Sequence, residues 1–478
     1  MKDAVQSKIA QGLTWAGLEK LAAKAVRFLI GLILARLLVP GDYGLIGMLG
    51  IFIGVSSLFV DSGFNAALIQ KKDRSEDDFA TVFWFNLVVA CICYGLLFVV
   101  SPLIASFYQQ PKLCAICRVI ALALPIGALA SVPRLRLTVA LDFRPQTVIT
   151  LIALLLSGGV AIALAYAGKG VWALVAQQLV EGGTTALLLW GRTKLRLAGR
   201  FSRASFRRFF SYGWKHLCSG LINTIYVNIY SLVIGKAFGP TQIGYYTRAD
   251  AFAALPGETV TDTVMRVNFP VLAQLQDDRT KLLDAYRRLV RLPLFVLTPM
   301  LFGLIATAKP FILLTIGEQW LPCVPFLQVI CLGVLFEPLS AINLNLLYVK
   351  GRTDCVLKLE LMKKPIAFAL VLSLVPFGIL WMCVGRAVYA FVAFAFNCIY
   401  TKKILDYGLL AQMREVIPIF LNGLFMCVLV GWVLRLLPDL PPVVQLLLAV
   451  PLGAVSYLSV AVLLRDPSLR FLRDFVRR

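Results

Sequence analysis

Apolar stretches follow one another along the whole chain, separated by turn residues or short charged segments. A helix needs about 20 mostly apolar residues to cross a hydrocarbon core of roughly 30 Å, so each long stretch predicts a transmembrane helix. We predict about fourteen spans with short connections, which leaves no room for a sizeable soluble domain. The predicted spans are Leu13–Val39, Tyr43–Val60, Ala80–Phe107, Cys114–Val132, Val148–Ala167, Val171–Trp190, His216–Phe238, Gln242–Val264, Pro293–Ile316, Cys323–Val349, Pro365–Leu380, Met382–Ile399, Val416–Leu436 and Val443–Leu464.

Composition agrees with a membrane environment. Hydrophobic residues make up 59% of the 478 positions and charged residues only 15%, against roughly 25% charged residues in a soluble globular chain. The start of the chain, Met1–Gln11, is polar, and no small-residue cleavage site follows the first apolar stretch, which predicts an anchor rather than a removed signal peptide. The predicted fold class is therefore all-α and integral to the membrane.

Basic residues lie on alternate connections, and the intervening connections, such as Pro40–Asp42 and Gly168–Gly170, are short and nearly uncharged. Short cytoplasmic connections keep an excess of Lys and Arg. The pattern therefore predicts that both termini are cytoplasmic. It also accounts for the net charge of +22 without a nucleic-acid partner, because the charge is spread over separate connections that can contact anionic headgroups.

A short segment recurs at a fixed offset. Ala35–Leu45 and Gly235–Tyr245 share a basic residue, a proline and a glycine, each 200 positions apart. Both copies start from the same predicted side, which indicates a parallel duplication of a six-helix unit. We predict two pseudosymmetric lobes and a terminal helix pair. Such lobes favour a transporter cavity between them, although a duplication retained only for packing would give the same pattern. The predicted divisions are 1–200, 201–405 and 406–478.

The first predicted span carries an unusual basic face. Lys20, Lys24 and Arg27 lie at helical spacing on one side. A charged side chain near the bilayer centre costs about 2.5–3.5 kcal/mol, so this face must meet an aqueous cavity or project below the membrane as the cytoplasmic foot of a long helix. Arg248, one to two turns into the eighth span, is a further candidate to line a cavity.

Acidic residues also occur within predicted spans or, like Asp61, directly at the end of one. Each is a candidate proton or sodium site, or a member of an internal ion pair, for instance with Arg266 or with the lysines of the first span. An amphipathic stretch, Val267–Leu292, predicts a surface helix along the headgroups. The acidic residues are Asp61, Glu181, Asp250, Glu258, Asp262 and Glu337.

Few residues suit metal or nucleophilic chemistry. The eleven cysteines lie mainly in apolar segments, and His216 is the single histidine. Cys114 and Cys117 form one CxxC pair, but a zinc or redox site normally needs a second pair or a histidine partner. We therefore predict no metal site, no cofactor and no catalytic residue.

Several stretches resemble the bacterial polysaccharide flippases of the multidrug/oligosaccharidyl-lipid/polysaccharide exporter superfamily, particularly the Wzx-like colanic-acid and teichuronic-acid exporters. The similarity covers most of the chain up to about Ile399. The stretches are Asp61–Lys71, Phe83–Asn86, Gly244–Ala249, Arg266–Asp278, Gly317–Trp320 and Pro325–Gln328.

The resemblance implies a V-shaped pair of six-helix lobes in the bacterial inner membrane. It implies transport of an undecaprenyl-diphosphate-linked oligosaccharide from the cytoplasmic to the outer leaflet, for O-antigen, capsule or exopolysaccharide synthesis. Candidate partners are membrane lipids, a polysaccharide polymerase and glycosyltransferases. A basic cavity suits the diphosphate because Arg can donate two parallel hydrogen bonds to phosphate oxygens.

Other functions stay open. A lipid II flippase fits the electrostatics equally well. A multidrug exporter of the same superfamily would share the lobes, but its cationic cargo favours an acidic cavity. A membrane-embedded glycan polymerase or ligase would usually need a substantial external loop, which the short outer connections do not offer.

Overall fold

The computed structural model describes residues 22–71, 73–193 and 199–469, and within these ranges the regular structure is helical. The chain forms two compact units, Met1–Gly244 and Tyr245–Arg478. The all-α prediction is therefore confirmed for the described residues. The lobe boundary predicted after residue 200 stays a prediction.

The first unit is built from consecutive helices joined by short turns. Its helices are α1 (22–37), α2 (Pro40–Asp61), α3 (Phe64–Gln70), α4 (Glu76–Tyr108), α5 (Lys112–Ile120), α6 (Ala123–Val139), α7 (Phe143–Tyr166), α8 (Val171–Thr193) and α9 (Arg203–Phe238). Helix α10 (Pro240–Gln274) begins at the end of this unit and continues in the second. The predicted fourth span, Cys114–Val132, thus falls on two helices with a break at Ala121 and Leu122.

Two apolar clusters hold the first unit together. Ile30, Leu34 and Leu38 pack with Ala161 and Ala173, which joins α1 to α7 and α8. A second cluster joins α3, α4, α6 and α9, with these fully or largely buried side chains: Phe64, Leu68, Phe79, Phe83, Val132 and Phe209. Small residues on α7 and α8 let the helices approach closely, as is usual where lipid supplies no hydrophobic driving force.

Helix α9 is fastened to α4 by hydrogen bonds as well as by packing. The backbone N–H of Arg200 donates to the Asp77 carboxylate at 2.8 Å, and the N–H of Ser202 donates to the Thr81 hydroxyl at 2.9 Å. The start of α4 is itself closed by a capping box between Ser75 and Asp78. These bonds explain why α9, which follows the predicted boundary, belongs to the first compact unit.

The two copies of the repeated segment contact each other reciprocally. Pro40 opens α2 and Pro240 opens α10, where a missing N–H costs nothing. A Cβ added to Gly44 would lie within 3.0 Å of the Pro240 carbonyl oxygen, and one added to Gly244 would lie equally close to the Pro40 carbonyl oxygen. Only glycine permits so close an approach of two backbones. The contact has local two-fold character and supports the inferred duplication.

The second unit is likewise helical. Its elements after α10 are α11 (Arg279–Thr315), a 3₁₀ turn (Glu318–Cys323), α12 (Val324–Val334), α13 (Glu337–Val349), α14 (Thr353–Leu374), a 3₁₀ turn (Val375–Phe377), α15 (Ile379–Leu405), α16 (Leu409–Leu436) and α17 (Pro442–Leu463). Helix α11 packs against α12, α16 and α17, and α15 packs against α12, α13 and α14. Their common core contains Leu282, Tyr286, Leu294, Ile342, Leu346, Phe394 and Val416.

The surface helix predicted over Val267–Leu292 is wrong. Residues 267–274 end α10, a turn follows, and α11 begins at Arg279. Asp278 causes the break because its carboxylate accepts from the backbone N–H groups of Thr280 and Lys281, both at 3.1 Å, as an N-cap does. These bonds, with the Lys281 ammonium, hold the pKa of Asp278 below its usual range.

Ten described segments are long and apolar enough to cross a membrane. The prediction of a multi-pass protein is confirmed, whereas the count of fourteen stays a prediction. The first predicted span lies partly outside the described residues. Three further predicted spans do not correspond to any of the ten apolar segments. They lie on α8, α10 and α14, which carry polar or charged residues in their middle, such as Glu181, Asp250 and Glu360.

Candidate functional site

The basic face of α1 is described from Lys24 onward, and Lys20 lies outside the described residues. Arg27 forms an ion pair with Glu181 of α8, with Nη2 2.6 Å from Oε1. The Arg27 side chain is nevertheless 58% exposed and that of Glu181 27% exposed. Lys24 lies three residues earlier on the same face of α1 and is half-buried. Within the described residues, the pair therefore presents a largely exposed guanidinium held by the Glu181 carboxylate.

Asp61 ends α2 and is not paired with a basic residue by any described ion pair. Its carboxylate accepts a hydrogen bond from the Asn65 side-chain amide at 2.5 Å. Ser62 and Gly63 both have positive φ, which terminates α2 and turns the chain into α3. The arrangement brings the Asp61 carboxylate onto the first turn of α3.

Arg248 lies in the second unit, on α10. Its guanidinium carbon is 5.7 Å from the Trp320 ring centroid and 5.9 Å from that of Phe252. Trp320 is fully buried in the 3₁₀ turn after α11, so it provides a fixed aromatic wall. A cation over aromatic faces is stabilised without losing its charge. This cation is half-buried, and a guanidinium is the side-chain group that best matches the geometry of a phosphate.

Asp250 lies two residues after Arg248 and is held by Arg386 of α15. Arg386 Nη1 is 2.7 Å from Asp250 Oδ1 and donates a hydrogen bond to the Tyr246 hydroxyl at 2.8 Å. Glu337, the first residue of α13, interacts electrostatically with both Arg386 and Asp250. Its Oε2 would be 3.8 Å from a Cβ added at Gly257 of α10. Three helices thus bring two carboxylates and one guanidinium together.

Glu258 and Asp262 lie further along α10, and both are exposed. Glu258 also interacts electrostatically with Glu337, which extends the acidic side of the cluster. The side chain of Arg266, one of their predicted partners, lies outside what the structure describes. We refer to Tyr246, Asp250, Glu258, Glu337 and Arg386 as the α10–α15 ionic cluster.

The predicted residues divide between the two units. Lys24, Arg27 and Asp61 belong to the first, and the candidates on α10 belong to the second. Arg27 forms an ion pair with Glu181, whereas Asp250 and Arg248 are neighbours two positions apart in the sequence of α10. Of the acidic residues predicted within spans, Glu181 forms an ion pair with Arg27, and Glu337 interacts electrostatically with Arg386.

Sequence reasoning missed Arg386. It is a lone charge within the predicted span Met382–Ile399, and its partner Asp250 lies more than a hundred residues earlier. A single arginine inside an apolar stretch was the available signal, since such residues line cavities or pair internally. Nothing in the spacing identifies the partner.

Two lysines that directly precede the predicted span Pro365–Leu380 are buried. Lys363 and Lys364 lie within α14 and are 3% and 9% exposed. Lys363 Nζ is 2.6 Å from Glu360 Oε1 and donates to Asn397 Oδ1 at 3.0 Å, and Lys364 Nζ is 3.4 Å from Glu360 Oε2. One carboxylate and an amide thus hold two ammonium groups between α14 and α15.

No group of three or more metal-ligating His, Cys, Asp or Glu side chains occurs within the described part of the chain. Of the CxxC pair, Cys114 has its Sγ 3.5 Å from the Ser101 hydroxyl, and Cys117 is a buried free cysteine.

Residues 33–325 match the family described as polysaccharide biosynthesis protein. The chain is 26% identical over 484 residues to the succinoglycan biosynthesis transport protein ExoT of Rhizobium meliloti, covering 98% of this chain and 96% of that protein. It is 26% identical to the teichuronic acid biosynthesis protein TuaB of Bacillus subtilis, covering 73% of each chain.

Among solved structures, the fold is similar to that of the lipid II flippase MurJ in an inward closed conformation. The TM-score is 0.77 at 14% identity, covering 95% of this chain and 99% of the other. At that identity the likeness concerns the fold. The family match spans more than half of the sequence and confirms the resemblance inferred from its motifs, and the chain therefore belongs to the polysaccharide biosynthesis protein family.

Proposed function

We propose that this protein is a transporter that moves a lipid-diphosphate-linked oligosaccharide from the cytoplasmic to the outer leaflet of the bacterial cell membrane, for the synthesis of a surface polysaccharide. The similarity to a succinoglycan biosynthesis transport protein carries the proposal, because it extends over nearly the full length of both chains. The helical, multi-pass fold agrees with it.

The diphosphate of the cargo contacts Lys20, Lys24, Arg27 and Arg248 during passage. Arg27 supports this role because more than half of its side chain is exposed although it is paired with Glu181. A phosphate oxygen can exchange with the Glu181 carboxylate as acceptor, since both are anions that form charge-assisted hydrogen bonds with a guanidinium. Arg248, stacked on Trp320, offers a second cation.

The transporter has fourteen spans, with lobes at 1–200 and 201–405, a terminal helix pair at 406–478, and both termini in the cytoplasm. Helices α1, α8, α10 and α14 make up the four spans beyond the ten apolar segments. Charges on these helices face an aqueous path or another helix, which lowers the cost of crossing the membrane. The reciprocal contact of Gly44 and Gly244 with the two prolines supports the repeat.

Transport can draw on two driving forces. An anion moving outward gains about 2.3 kcal/mol per charge for each 100 mV of interior-negative potential. The α10–α15 ionic cluster, which contains Asp250 and Glu258, offers carboxylates for a counter-transported proton, and Asp61 and Asp262 are further candidates. A pH gradient that is acidic outside should then accelerate wild-type transport in liposomes. The Asp250→Asn variant should lose that acceleration and keep its response to membrane potential.

Purified protein in liposomes tests the main proposal. A fluorescent undecaprenyl-diphosphate oligosaccharide placed in one leaflet should become accessible in the other, with its covalent structure unchanged by mass spectrometry. Protein-free liposomes and an Arg27→Gln variant are the controls. A lack of translocation above the protein-free rate would contradict the proposal, and a new glycosidic bond would establish a polymerase or ligase instead.

Lipid II transport is the second candidate, because the fold is similar to that of a lipid II flippase. Both cargoes carry a lipid diphosphate, so the basic residues above serve either one. The same liposomes loaded with lipid II separate the two. Faster translocation of lipid II than of the oligosaccharide carrier would favour this second function. A cationic drug exporter would instead move neither lipid.

A further inference from the structure

A lateral groove lies between α7 and α8, at the end where α7 begins and α8 finishes. Its volume is about 680 Å³, and all of its lining residues belong to the first unit. Arg144 of α7 and Arg192 of α8 line its rim together with Asp142. Both arginines are exposed, so the described rim carries one net positive charge that is accessible from outside the helix pair.

The wall of the groove away from this rim is apolar. Val148 and Ile152 follow Arg144 along one side of α7, and Leu187 faces them from α8. Their exposed fractions are 45%, 39% and 77%. At a rise of 1.5 Å per residue, Val148 and Ile152 lie about 6 Å and 12 Å along the helix from Arg144. The groove is thus amphipathic, with charge at its mouth and exposed hydrocarbon along its length.

Gly191 keeps the groove open. A Cβ added to this residue would meet no atom within 4 Å, so the glycine is not required by helix packing. The space next to it belongs to the groove that Arg192 and Leu187 also line. A ligand chain can therefore lie against the bare backbone of α8.

The rim lies at the predicted cytoplasmic ends of α7 and α8. The predicted connection between the spans Cys114–Val132 and Val148–Ala167 carries Arg134, Arg136 and Arg144, and the positive-inside pattern assigns it to that side. The cytoplasmic leaflet is rich in anionic lipids, and basic pockets between membrane helices bind their headgroups. We propose that this groove binds an anionic glycerophospholipid of the cytoplasmic leaflet, with its phosphate on Arg144 and Arg192 and one acyl chain along Val148, Ile152 and Leu187.

The choice of occupant follows from charge. A phosphatidylglycerol headgroup brings a net negative charge to a rim of opposite sign. A zwitterionic phosphatidylcholine of the same acyl chains brings an equal phosphate but also a quaternary ammonium, which gains nothing from two guanidinium groups. The groove is therefore selective for the headgroup at its mouth, whereas the apolar wall contributes equally to both lipids.

Native mass spectrometry of the delipidated full chain in detergent tests the proposal, with phosphatidylglycerol and phosphatidylcholine as titrated probes. Wild type should bind phosphatidylglycerol about fivefold more tightly, since the rim carries one net positive charge and a basic residue near an anionic headgroup contributes about a factor of five. Arg144→Gln/Arg192→Gln should abolish the preference. Arg207→Gln/Arg208→Gln on α9 removes the same charge from exposed residues outside the groove and should retain it.

Gly191→Trp provides a test without any change of charge. The new side chain has room on the helix but fills the groove, so binding of both lipids at this site should fall while the melting temperature without lipid stays that of wild type. Equal binding of the two phospholipids by wild type, an undiminished preference in Arg144→Gln/Arg192→Gln, or undiminished binding of both lipids in Gly191→Trp would overturn the proposal. Displacement of phosphatidylglycerol by a lower concentration of undecaprenyl diphosphate would also overturn it, because the groove would then serve the carrier lipid.

Discussion

Arg27 is the residue whose contacts bear most directly on the proposed binding of the cargo diphosphate. Its ion pair with Glu181 is short, at 2.6 Å, yet more than half of its side chain is exposed. An exposed pair contributes little to stability because solvent screens it, typically less than about 1 kcal/mol. Breaking the ion pair between Arg27 and Glu181 therefore costs little free energy, which suits an exchange of partners with the phosphate of the proposed cargo.

Arg27→Gln should lower translocation of the lipid-diphosphate oligosaccharide by about tenfold or more, since a hydrogen bond to a charged group contributes about 1.5–3 kcal/mol. Glu181→Gln removes the competing carboxylate and should leave translocation equal or faster. Initial rates in liposomes measure both variants, and Arg207→Gln is the matched control because that arginine is exposed on α9. Equal losses in the Arg27 and Glu181 variants, with no further loss in the double variant, would show a purely structural pair.

Arg386 is a different kind of residue, since it is mostly shielded and has several partners. Replacing it by Met would leave Asp250 and Glu337 together without their guanidinium. Removing one partner of a fully buried pair costs about 3–5 kcal/mol, and partial exposure of Asp250 reduces this to about 1–3 kcal/mol. We expect Arg386→Met to lower the melting temperature in detergent and Asp250→Asn to restore part of it in the double variant. Additive losses in the double variant would contradict this coupling.

At the scale of elements, the sequence predicted most helices but not their joints. Long apolar stretches predicted α4, α7, α11, α16 and α17, because the length and hydropathy of a membrane-spanning segment can be read directly from the sequence. The break between α5 and α6 falls inside one apolar stretch, where no polar residue marks it. The break before α11 was marked by Asp278, but amphipathic periodicity across it concealed the capping signal.

The candidate site was less predictable than the fold for a physical reason. Charges inside spans are visible in the sequence, so Arg27, Glu181 and Asp250 could be singled out. Their pairing depends on which helices become neighbours, and that information lies in contacts such as α1 with α8 or α10 with α15. Burial of Lys363 and Lys364 was hidden for the same reason, because two adjacent lysines also mark cytoplasmic connections.

The reciprocal contact between the starts of α2 and α10 gives an element-scale prediction. Gly44→Ala and Gly244→Ala should each destabilise the protein by about 1–3 kcal/mol, because the new methyl group must displace a backbone carbonyl. Gly41→Ala is the matched control, since its Cβ would lie 3.6 Å from the Thr241 hydroxyl, an ordinary contact. Thermal unfolding in detergent measures the difference, and a Gly44 variant as stable as the Gly41 variant would exclude the close backbone contact.

At the scale of the whole molecule, the described helices divide into apolar segments and helices that carry charged residues in their middle. The ten apolar segments establish a multi-pass protein, and the helices outside that set carry many of the ionic contacts described above. Glu181 lies on α8, Asp250 on α10, and Glu360 with Lys363 on α14. A transporter of an anionic headgroup needs such helices, because polar groups must line its path and still be inserted among apolar neighbours.

Helix α14 offers the sharpest test of the fourteen-span topology. It is flanked by Gly351 and Gly378, both with positive φ in tight turns, and it holds Glu360, Lys363 and Lys364 in its middle. If α14 crosses the membrane, alkaline phosphatase fused after Gly378 should be active, since that enzyme folds only outside the cytoplasm, and a fusion after Gly351 should be inactive. A cytoplasmic reporter such as β-galactosidase should give the opposite pattern. The same activity at both positions would place α14 on one side of the membrane, and the internal pairing of its lysines would then be a feature of a surface helix.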